Sequence, residues 1–180
     1  MFDTEGFVAE CRAALGQGGS RAIREVVARA VADPAAVMAT LGEPREGGLG
    51  VIHRAPDLTI LNIAWKPQQV IMPHDHAMWA VIGVYTGRED NILWRRLPED
   101  AAGRIEAGGA KTLGARETLV LGADAVHSVV NPLGRVTGAI HVYGGDFFGV
   151  DRSEWDPEAL TEKPYDMERV LRMFAAQAAQ

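Results

Sequence analysis

Short apolar runs separated by turn-forming residues dominate the chain between residues 50 and 143. The runs are rich in Val, Ile, Leu and Trp. Glycine, proline or acidic residues recur between them at roughly ten-residue spacing, as in antiparallel sandwiches and barrels. The pattern therefore predicts a mainly β chain. Strands are expected near residues 50–54, 58–65, 68–72, 76–86, 91–96, 103–106, 111–113, 117–121, 125–130 and 136–143.

The N-terminal region has helical periodicity from residue 4 to about residue 41, with apolar residues three and four positions apart. It predicts two or three short helices. Residues 16–20 separate the first helix from the second, with Ser20 as its N-cap, and Asp33-Pro34 suits the N-cap and first position of the next.

The C-terminal region predicts one more helix after an irregular stretch that reaches Lys163. Asp166 is the expected N-cap, and Val170, Leu171 and Phe174 form one apolar side. We expect this helix to pack on the exterior of the barrel.

The length and composition favour a single domain. The chain has 180 residues, 47% of them hydrophobic, which is enough for one sizeable core. The expected domain covers residues 1–180, with a helical part at 3–42, a barrel at about 50–152 and a C-terminal helix at about 166–179.

The charge and cysteine content narrow the partners and the compartment. A net charge of −6 offers no basic surface for phosphates, so we expect no nucleic-acid partner. Cys11 is the only cysteine, which favours a reducing cytoplasm and a structural thiol. The longest apolar run, residues 77–85, is too short to cross a bilayer, so we expect a cytoplasmic protein without a membrane partner.

Two of the five histidines, His74 and His76, stand two residues apart at the start of an apolar run. On a strand, residues two apart share one face, so the two imidazoles make a chelate while Asp75 points away. Among the others, His127 is the best third ligand, because a turn feeds it into a strand that a barrel can place beside the first. The three together predict a metal site with open positions for substrate.

His141 and Tyr143 also stand two residues apart on a predicted strand. If their shared face is the barrel interior, an imidazole and a phenol lie near the metal as a proton-handling pair. The alternative is a buried tyrosine whose hydroxyl is simply satisfied by the neighbouring histidine.

Three segments carry a resemblance to a known family: PHDHAMWAVIGVYTG at 73–87, HSVVN at 127–131 and IHVYG at 140–144. Together they resemble the thiol dioxygenases of the cupin superfamily over roughly residues 50–152. The resemblance implies a cupin double-stranded β-helix, or jelly-roll barrel, with non-haem Fe(II) on His74, His76 and His127. It also implies that His141 and Tyr143 form the outer-sphere pair, with zinc or nickel as possible substituted metals.

The residues that follow the second histidine distinguish this site from that of ordinary cupins. Those proteins have a glutamate ligand where this chain has Ala80 and Val81, a glutamate that the thiol dioxygenases also lack. Three neutral imidazoles leave the charge of Fe(II) unbalanced, which favours an anionic thiolate as a further ligand.

Within the resemblance, the chain departs from the animal-type cysteine dioxygenases and is closer to bacterial 3-mercaptopropionate dioxygenases. Val81 lies in the region of the crosslinked cysteine, and residues 58–65 lack the substrate-binding arginine. The bacterial proteins hold the substrate carboxylate with an arginine after the tyrosine strand, a position that Arg152 matches. The alternative is a surface arginine paired with Asp151 or Glu154.

Several other residues receive expectations of their own. Ala139 replaces the family's serine, which would cut the serine, histidine and tyrosine relay at its outer end. Trp79 should pack against the outer helices, and His53 should be a solvated or capping histidine. The charged residues at 87–91 are expected to form a solvated turn.

The function expected from the sequence is oxidation of a small thiol, 3-mercaptopropionate or cysteine, by dioxygen to its sulfinate. Three alternatives stay open: a β-diketone dioxygenase, a zinc hydro-lyase with the same three histidines, and a ligand-binding cupin without turnover. Neither the substrate nor the oligomeric state follows from the sequence.

Overall fold

A computed structural model describes residues 1–175 of the chain. Its helices are α1 (Thr4–Val31), α2 (Pro34–Leu41) and α3 (Met167–Ala175). The strands are β1 (Gly48–Ala55), β2 (Leu58–Trp65), β3 (Val70–His74), β4 (Ala80–Thr86), β5 (Arg88–Arg96), β6 (Ile105–Gly114), β7 (Thr118–Leu121), β8 (Val126–Val130), β9 (Thr137–Tyr143), β10 (Ser153–Trp155) and β11 (Glu162–Pro164). Over these residues, no helix combines the length and apolarity needed to cross a membrane.

The strands form two antiparallel sheets, in the orders β1-β2-β9-β4-β7 and β11-β10-β3-β8-β5-β6. The expected fold is confirmed: a mainly β double-stranded β-helix of the cupin type, with helices at both ends. β2 is buried on both of its faces because it separates two cores. Its Leu61 and Ile63 belong to the cluster inside the barrel, whereas Ile60 packs in a second cluster with α1.

Helix α1 covers the outer face of the first sheet. A side chain at Gly83 of β4 would place its Cβ 2.4 Å from Val27 of α1, so this close contact requires glycine. The expected break in the N-terminal helices is a kink at Gly19, which has a positive φ of 56°. Asp33 caps α2 as predicted and accepts a bond from the backbone N of Ala36 at 3.1 Å.

The strand predictions need three corrections. The strands expected at 103–106 and 111–113 are a single strand, β6, which begins at Ile105. The strand expected from residue 76 begins at Ala80, so His76 lies in the loop before it. The stretch expected to be irregular up to Lys163 contains β10 and β11, so the second sheet continues past the predicted barrel end at residue 152.

Helix α3 was expected on the barrel exterior, and this expectation is wrong. Its Val170 and Phe174 join the interior cluster, where the ring of Phe174 lies 5.5 Å from that of Trp65, while Leu171 is exposed. Asp166 caps the helix as predicted, with a 2.8 Å bond from the backbone N of Arg169. The helix was expected to reach residue 179, but residues 176–179 lie outside the described part of the chain.

Candidate metal centre

Three buried histidines meet inside the barrel: His74 at the end of β3, His76 in the loop before β4, and His127 on β8. One nitrogen from each lies within 4.8 Å of the others. His74 and His127 are direct cross-strand partners. Strand alternation does not explain why His74 and His76 converge, because His76 lies in a loop. The residue after His76, Ala77, has a φ of 53°.

Hydrogen bonds on the far side of two rings decide which nitrogen is free. Nδ1 of His74 donates to the carbonyl oxygen of Met72 at 3.0 Å, and Nδ1 of His127 donates to Oδ1 of Asn91 at 2.7 Å. Each neutral ring then carries its proton on Nδ1, which leaves the lone pair of Nε2 available for a metal.

The nitrogens also face one another as ligands of a single ion do. Nε2 of His127 lies 3.2 Å from Nε2 of His76. Two metal–nitrogen bonds of about 2.1 Å at a right angle span about 3 Å, close to that separation. The donor set therefore fits a metal ion.

Burial keeps all three imidazoles neutral. It lowers the pKa of His74 to about 4, against weaker contributions that include the bond to Met72. Burial and the neighbouring histidines lower the pKa of His76 and His127 well below the ordinary value. Since only a neutral imidazole binds a metal, the site is ready for a cation at neutral pH.

Asp75, between the two close histidines, takes no part in this group. Its Oδ1 accepts from the backbone N of Ser153 at 3.0 Å, and its Oδ2 accepts from Arg96 at 2.5 Å. The carboxylate thus fastens the histidine loop to β10 and β5. It points away from the histidines, as the sequence predicted.

His141 and Tyr143 lie on β9, with their side chains in the barrel interior. Nδ1 of His141 is 3.1 Å from the hydroxyl of Tyr143, whose ring stands edge-on to His76 with centroids 5.0 Å apart. Burial raises the pKa of Tyr143 far above its ordinary value, so the side chain stays a neutral phenol. The pair therefore borders the three histidines without being part of their cluster.

Glu89 and Asn91 are the functional candidates that the sequence reading missed. Residues 87–91 were expected to form a solvated turn, but Glu89 and Asn91 are fully buried on β5. Oε1 of Glu89 accepts from Nδ2 of Asn91 at 3.0 Å, and Oε2 accepts from Trp65 at 2.8 Å and lies 3.2 Å from Nε2 of His141. Alternation along the strand, with Asp90 facing outward between them, was the signal available in the sequence.

His141 has a partner on the side away from Tyr143, although the serine expected at position 139 is missing. Ala139 packs in the interior cluster, where the family's serine was expected. The carboxylate of Glu89 occupies the far side of His141 instead. The series of contacts from Tyr143 to His141, which was expected to end at Ala139, therefore extends to Glu89.

Two other expected placements concern Trp79 and His53. Trp79 packs against the outer cluster that includes α1, as predicted. His53 is half-buried near the surface, where its Nε2 is 3.4 Å from Arg12. Neither side chain reaches the three histidines.

Arg152 is buried, and no carboxylate of residues 1–175 pairs with it. Its guanidinium carbon lies 4.1 Å from the ring centroid of Phe147 and 4.2 Å from that of Tyr165. Nη1 donates to the carbonyl oxygen of Phe147 at 2.6 Å, while Nε and Nη2 are buried without a partner. Glu154, one of the two carboxylates considered as its partner, binds Arg169 and Lys163 instead.

Arg54 shows how the two nitrogens that lack a partner in Arg152 bind a carboxylate elsewhere in the same protein. Nε and Nη2 of Arg54 bind the two carboxylate oxygens of Asp146, each at 2.8 Å. The same two nitrogens of Arg152 therefore form a vacant fork of the kind that binds carboxylates bidentately. Phe147 and Tyr165, which sandwich the guanidinium, also lie 6.3 Å and 5.7 Å from the rings of His76 and His74.

A cavity of about 890 Å³ lies beside this arginine. Arg152, Ser153 and Tyr165 are among its lining residues, but none of the three histidines is. Tyr165 thus lies against both the cavity and the ring of His74.

No family model matches the chain. Among solved structures, a Bacillus halodurans protein aligns with a TM-score of 0.50 at 13% identity, over 61% of this chain and 77% of the other. The likeness is one of fold. A Klebsiella pneumoniae protein with a double-stranded β-helix domain aligns at 0.45 and 16% identity, over 58% and 76% of the two chains.

Bacillus subtilis oxalate decarboxylase, studied for its Mn(II) centres, aligns with a TM-score of 0.40 at 16% identity. The alignment covers 51% of this chain and 22% of that larger enzyme.

Proposed function

We propose that this chain is a non-haem Fe(II)-dependent thiol dioxygenase that converts a small mercapto-carboxylate into its sulfinate. The observation that carries the proposal is the group of three buried, neutral imidazoles with no carboxylate ligand among them. The iron would be held by His74, His76 and His127. When bound, it would supply open coordination positions and the redox chemistry by which both atoms of dioxygen are transferred to sulfur.

The carboxylate of the substrate would be held by Arg152. The vacant fork of Nε and Nη2 offers two parallel donors, and the rings of Phe147 and Tyr165 fix the guanidinium plane. A buried cation without an anion is costly, so an arriving carboxylate gains more here than it would at a surface arginine. This favours a mercapto-carboxylate over a neutral β-diketone.

The proton of the thiol would leave through Tyr143 and His141. The thiol proton passes to the hydroxyl oxygen of Tyr143, and the phenol gives its own proton to Nδ1 of His141, 3.1 Å away. The imidazolium that forms lies against the carboxylate of Glu89. Charge separation therefore ends on a buried ion pair while the phenol stays neutral.

Access to the buried histidines would run from the cavity beside Arg152. The substrate would enter with its carboxylate on the arginine and its thiol directed inward past Tyr165 and Phe147. A cytoplasmic location, with its reducing thiol pool, agrees with the single buried Cys11.

The test is dioxygen consumption by the iron-loaded protein with 3-mercaptopropionate, cysteine, cysteamine and a β-diketone. We expect iron-dependent uptake with the mercapto-carboxylates, accompanied by one sulfinate per dioxygen. Turnover with Zn(II) in the absence of dioxygen would favour a hydro-lyase instead. Iron binding with no turnover of any compound would favour the ligand-binding alternative.

A further inference from the structure

One buried carboxylate, Glu89, connects two parts of the site that are separate in sequence. Its Oε2 faces Nε2 of His141 at 3.2 Å, while its Oε1 accepts from the amide of Asn91 at 3.0 Å. The amide oxygen of Asn91 in turn accepts a hydrogen bond from Nδ1 of His127 at 2.7 Å. A single side chain thus contacts the outer-sphere pair directly and reaches His127 through Asn91.

The carboxylate of Glu89 can only accept hydrogen bonds, and this sets the direction of every hydrogen bond in the network. Because Oε1 can only accept, the amide nitrogen of Asn91 must face Glu89 and its oxygen must face His127. His127 therefore carries its proton on Nδ1 and presents a bare Nε2 to the metal. On the other side, Oε2 requires a proton on Nε2 of His141, so Nδ1 of that ring accepts from Tyr143.

The surroundings keep Glu89 in the ionised form that this arrangement needs. Burial by itself raises the pKa of the carboxyl group, but His141 and the bonds from Asn91 and Trp65 lower it below its ordinary value. No other carboxylate among the described residues contacts this network, since Asp90 points outward to Arg88.

We propose that Glu89 is a positioning residue that fixes, through hydrogen-bond polarity, both the metal-binding tautomer of His127 and the orientation of the His141–Tyr143 pair. The inference rests on the proposed metal site but does not depend on a thiol as the substrate. It assigns to Glu89 the role that the family's serine would have at Ala139, and extends that role to a ligand.

A glutamine at this position would fit the space but not the polarity. In Glu89→Gln, if the amide oxygen faces Trp65 and His141, the amide nitrogen faces the nitrogen of Asn91. Asn91 must then rotate and present a donor to His127, which moves the ring proton to Nε2 and blocks the metal position. The opposite rotation leaves two donors facing each other at Trp65.

The chain also offers a compensating change. In the double variant Glu89→Gln/Asn91→Asp, the new carboxylate at position 91 accepts from the glutamine amide and from Nδ1 of His127. The bonds at His127, His141 and Trp65 then keep the directions that they have in the natural protein. Only the bond between positions 89 and 91 is reversed, and the negative charge has moved by one side chain. Asp90→Asn is the matched control, because it neutralises a carboxylate on the same strand that faces the other way.

The experiment compares the natural protein, Glu89→Gln, Asn91→Asp, the double variant and Asp90→Asn, with circular dichroism to verify folding. Histidine tautomers are measured by ¹⁵N NMR on the metal-free proteins, and Co(II) affinity by optical titration. We expect the Nδ1–H tautomer at His127 and the Nε2–H tautomer at His141 in the natural protein. We expect Co(II) affinity to fall by about 10- to 100-fold in Glu89→Gln and to recover in the double variant.

An unchanged His127 tautomer and unchanged Co(II) affinity in Glu89→Gln would overturn the proposal. So would an Nε2–H tautomer of His127 in the natural protein, which needs no variant to be observed. If the natural protein binds neither Co(II) nor Fe(II), the proposed function fails, while the NMR tautomers still decide the role of Glu89.

Discussion

Oε2 of Glu89 lies 3.2 Å from Nε2 of His141, and both side chains are almost completely buried. A carboxylate is costly in such a place unless donors surround it, and here an indole, an amide and an imidazole do so. The acid is therefore placed to stabilise a positive charge on His141. The hydroxyl of Tyr143 lies 3.1 Å from the other ring nitrogen of His141, which makes the phenol the first residue to test.

Replacing Tyr143 by phenylalanine removes the hydroxyl that lies 3.1 Å from His141 and keeps the ring beside His76. Because the hydroxyl moves a proton during the reaction, kcat should fall by about 100-fold while KM changes little. Sulfinate formation and dioxygen uptake would measure this. Tyr85→Phe is the control, since Tyr85 belongs to the outer cluster and donates its hydroxyl to Asn62, so the loss of that hydroxyl should leave kcat unchanged. An unchanged rate in Tyr143→Phe removes the phenol from the mechanism.

His127→Ala should abolish tight iron binding. The change removes one of three nitrogens that cluster within 4.8 Å, and it also frees Asn91 from its 2.7 Å bond. We expect the affinity for Fe(II) to fall by more than about 100-fold, since loss of a residue that only hydrogen-bonds to a ligand already costs about 10- to 100-fold. Metal analysis after anaerobic reconstitution would measure the loss. His53→Ala, which alters the half-buried histidine near Arg12, should bind iron normally; equal iron content in both variants would contradict the ligand assignment.

The sequence specified the barrel well because its signals are local. β2 has the bounds that its apolar run predicted, residues 58–65, and Asp33 caps α2 as its position before a proline indicated. The three histidines were also found from sequence, because few histidines occur and two stand next to an apolar run. Their convergence, however, depends on the loop conformation at Ala77, which has a positive φ. The sequence does not predict this conformation, because alanine seldom adopts a positive φ.

The burial of polar residues that face the core was not predicted from the sequence. Alternation is recognised when apolar and polar residues take turns, but residues 88–91 are all polar, although Glu89 and Asn91 face the core. The pairing of β5 with β8, which the sequence does not reveal, brings Asn91 beside His127, and Glu89 follows through its bond to Asn91. The position of α3 was missed for a similar reason, since the spacing of Val170 and Phe174 indicates an apolar side but not the surface that receives it.

Arg152→Ala should weaken mercapto-carboxylates selectively. Loss of a buried charge pair costs about 2–5 kcal/mol, so kcat/KM for 3-mercaptopropionate should fall by at least about 30-fold. Cysteamine, which has no carboxylate, should be affected far less. Arg152→Lys keeps the charge but lacks the fork and should recover only part of the loss. The control is Arg54→Ala, whose fork is occupied by Asp146. A similar loss for cysteamine and 3-mercaptopropionate would contradict the carboxylate role.

The metal-free protein should lose stability as the pH falls from about 6.5 towards 4. Burial lowers the pKa of His74 to about 4, and it lowers the pKa of both His76 and His127 well below the ordinary value. Between these pH values the histidines are protonated in the unfolded chain but not in the folded chain. The free energy of unfolding therefore decreases as the pH falls. A bound metal competes with protons for the histidine nitrogens. The metal-bound protein should therefore keep its melting temperature to a lower pH than the metal-free protein.

Thermal melts of the metal-free protein between pH 7.5 and 4.5 would test this prediction. Carboxyl groups with lowered pKa, such as that of Glu89, also destabilise the fold in acid, so the comparison must be between histidine variants. His76→Gln removes one buried base and should flatten the dependence of melting temperature on pH. His53→Gln removes the half-buried histidine near Arg12 and should keep the natural slope. Equal slopes in the two variants would mean that the buried imidazoles do not carry the acid sensitivity.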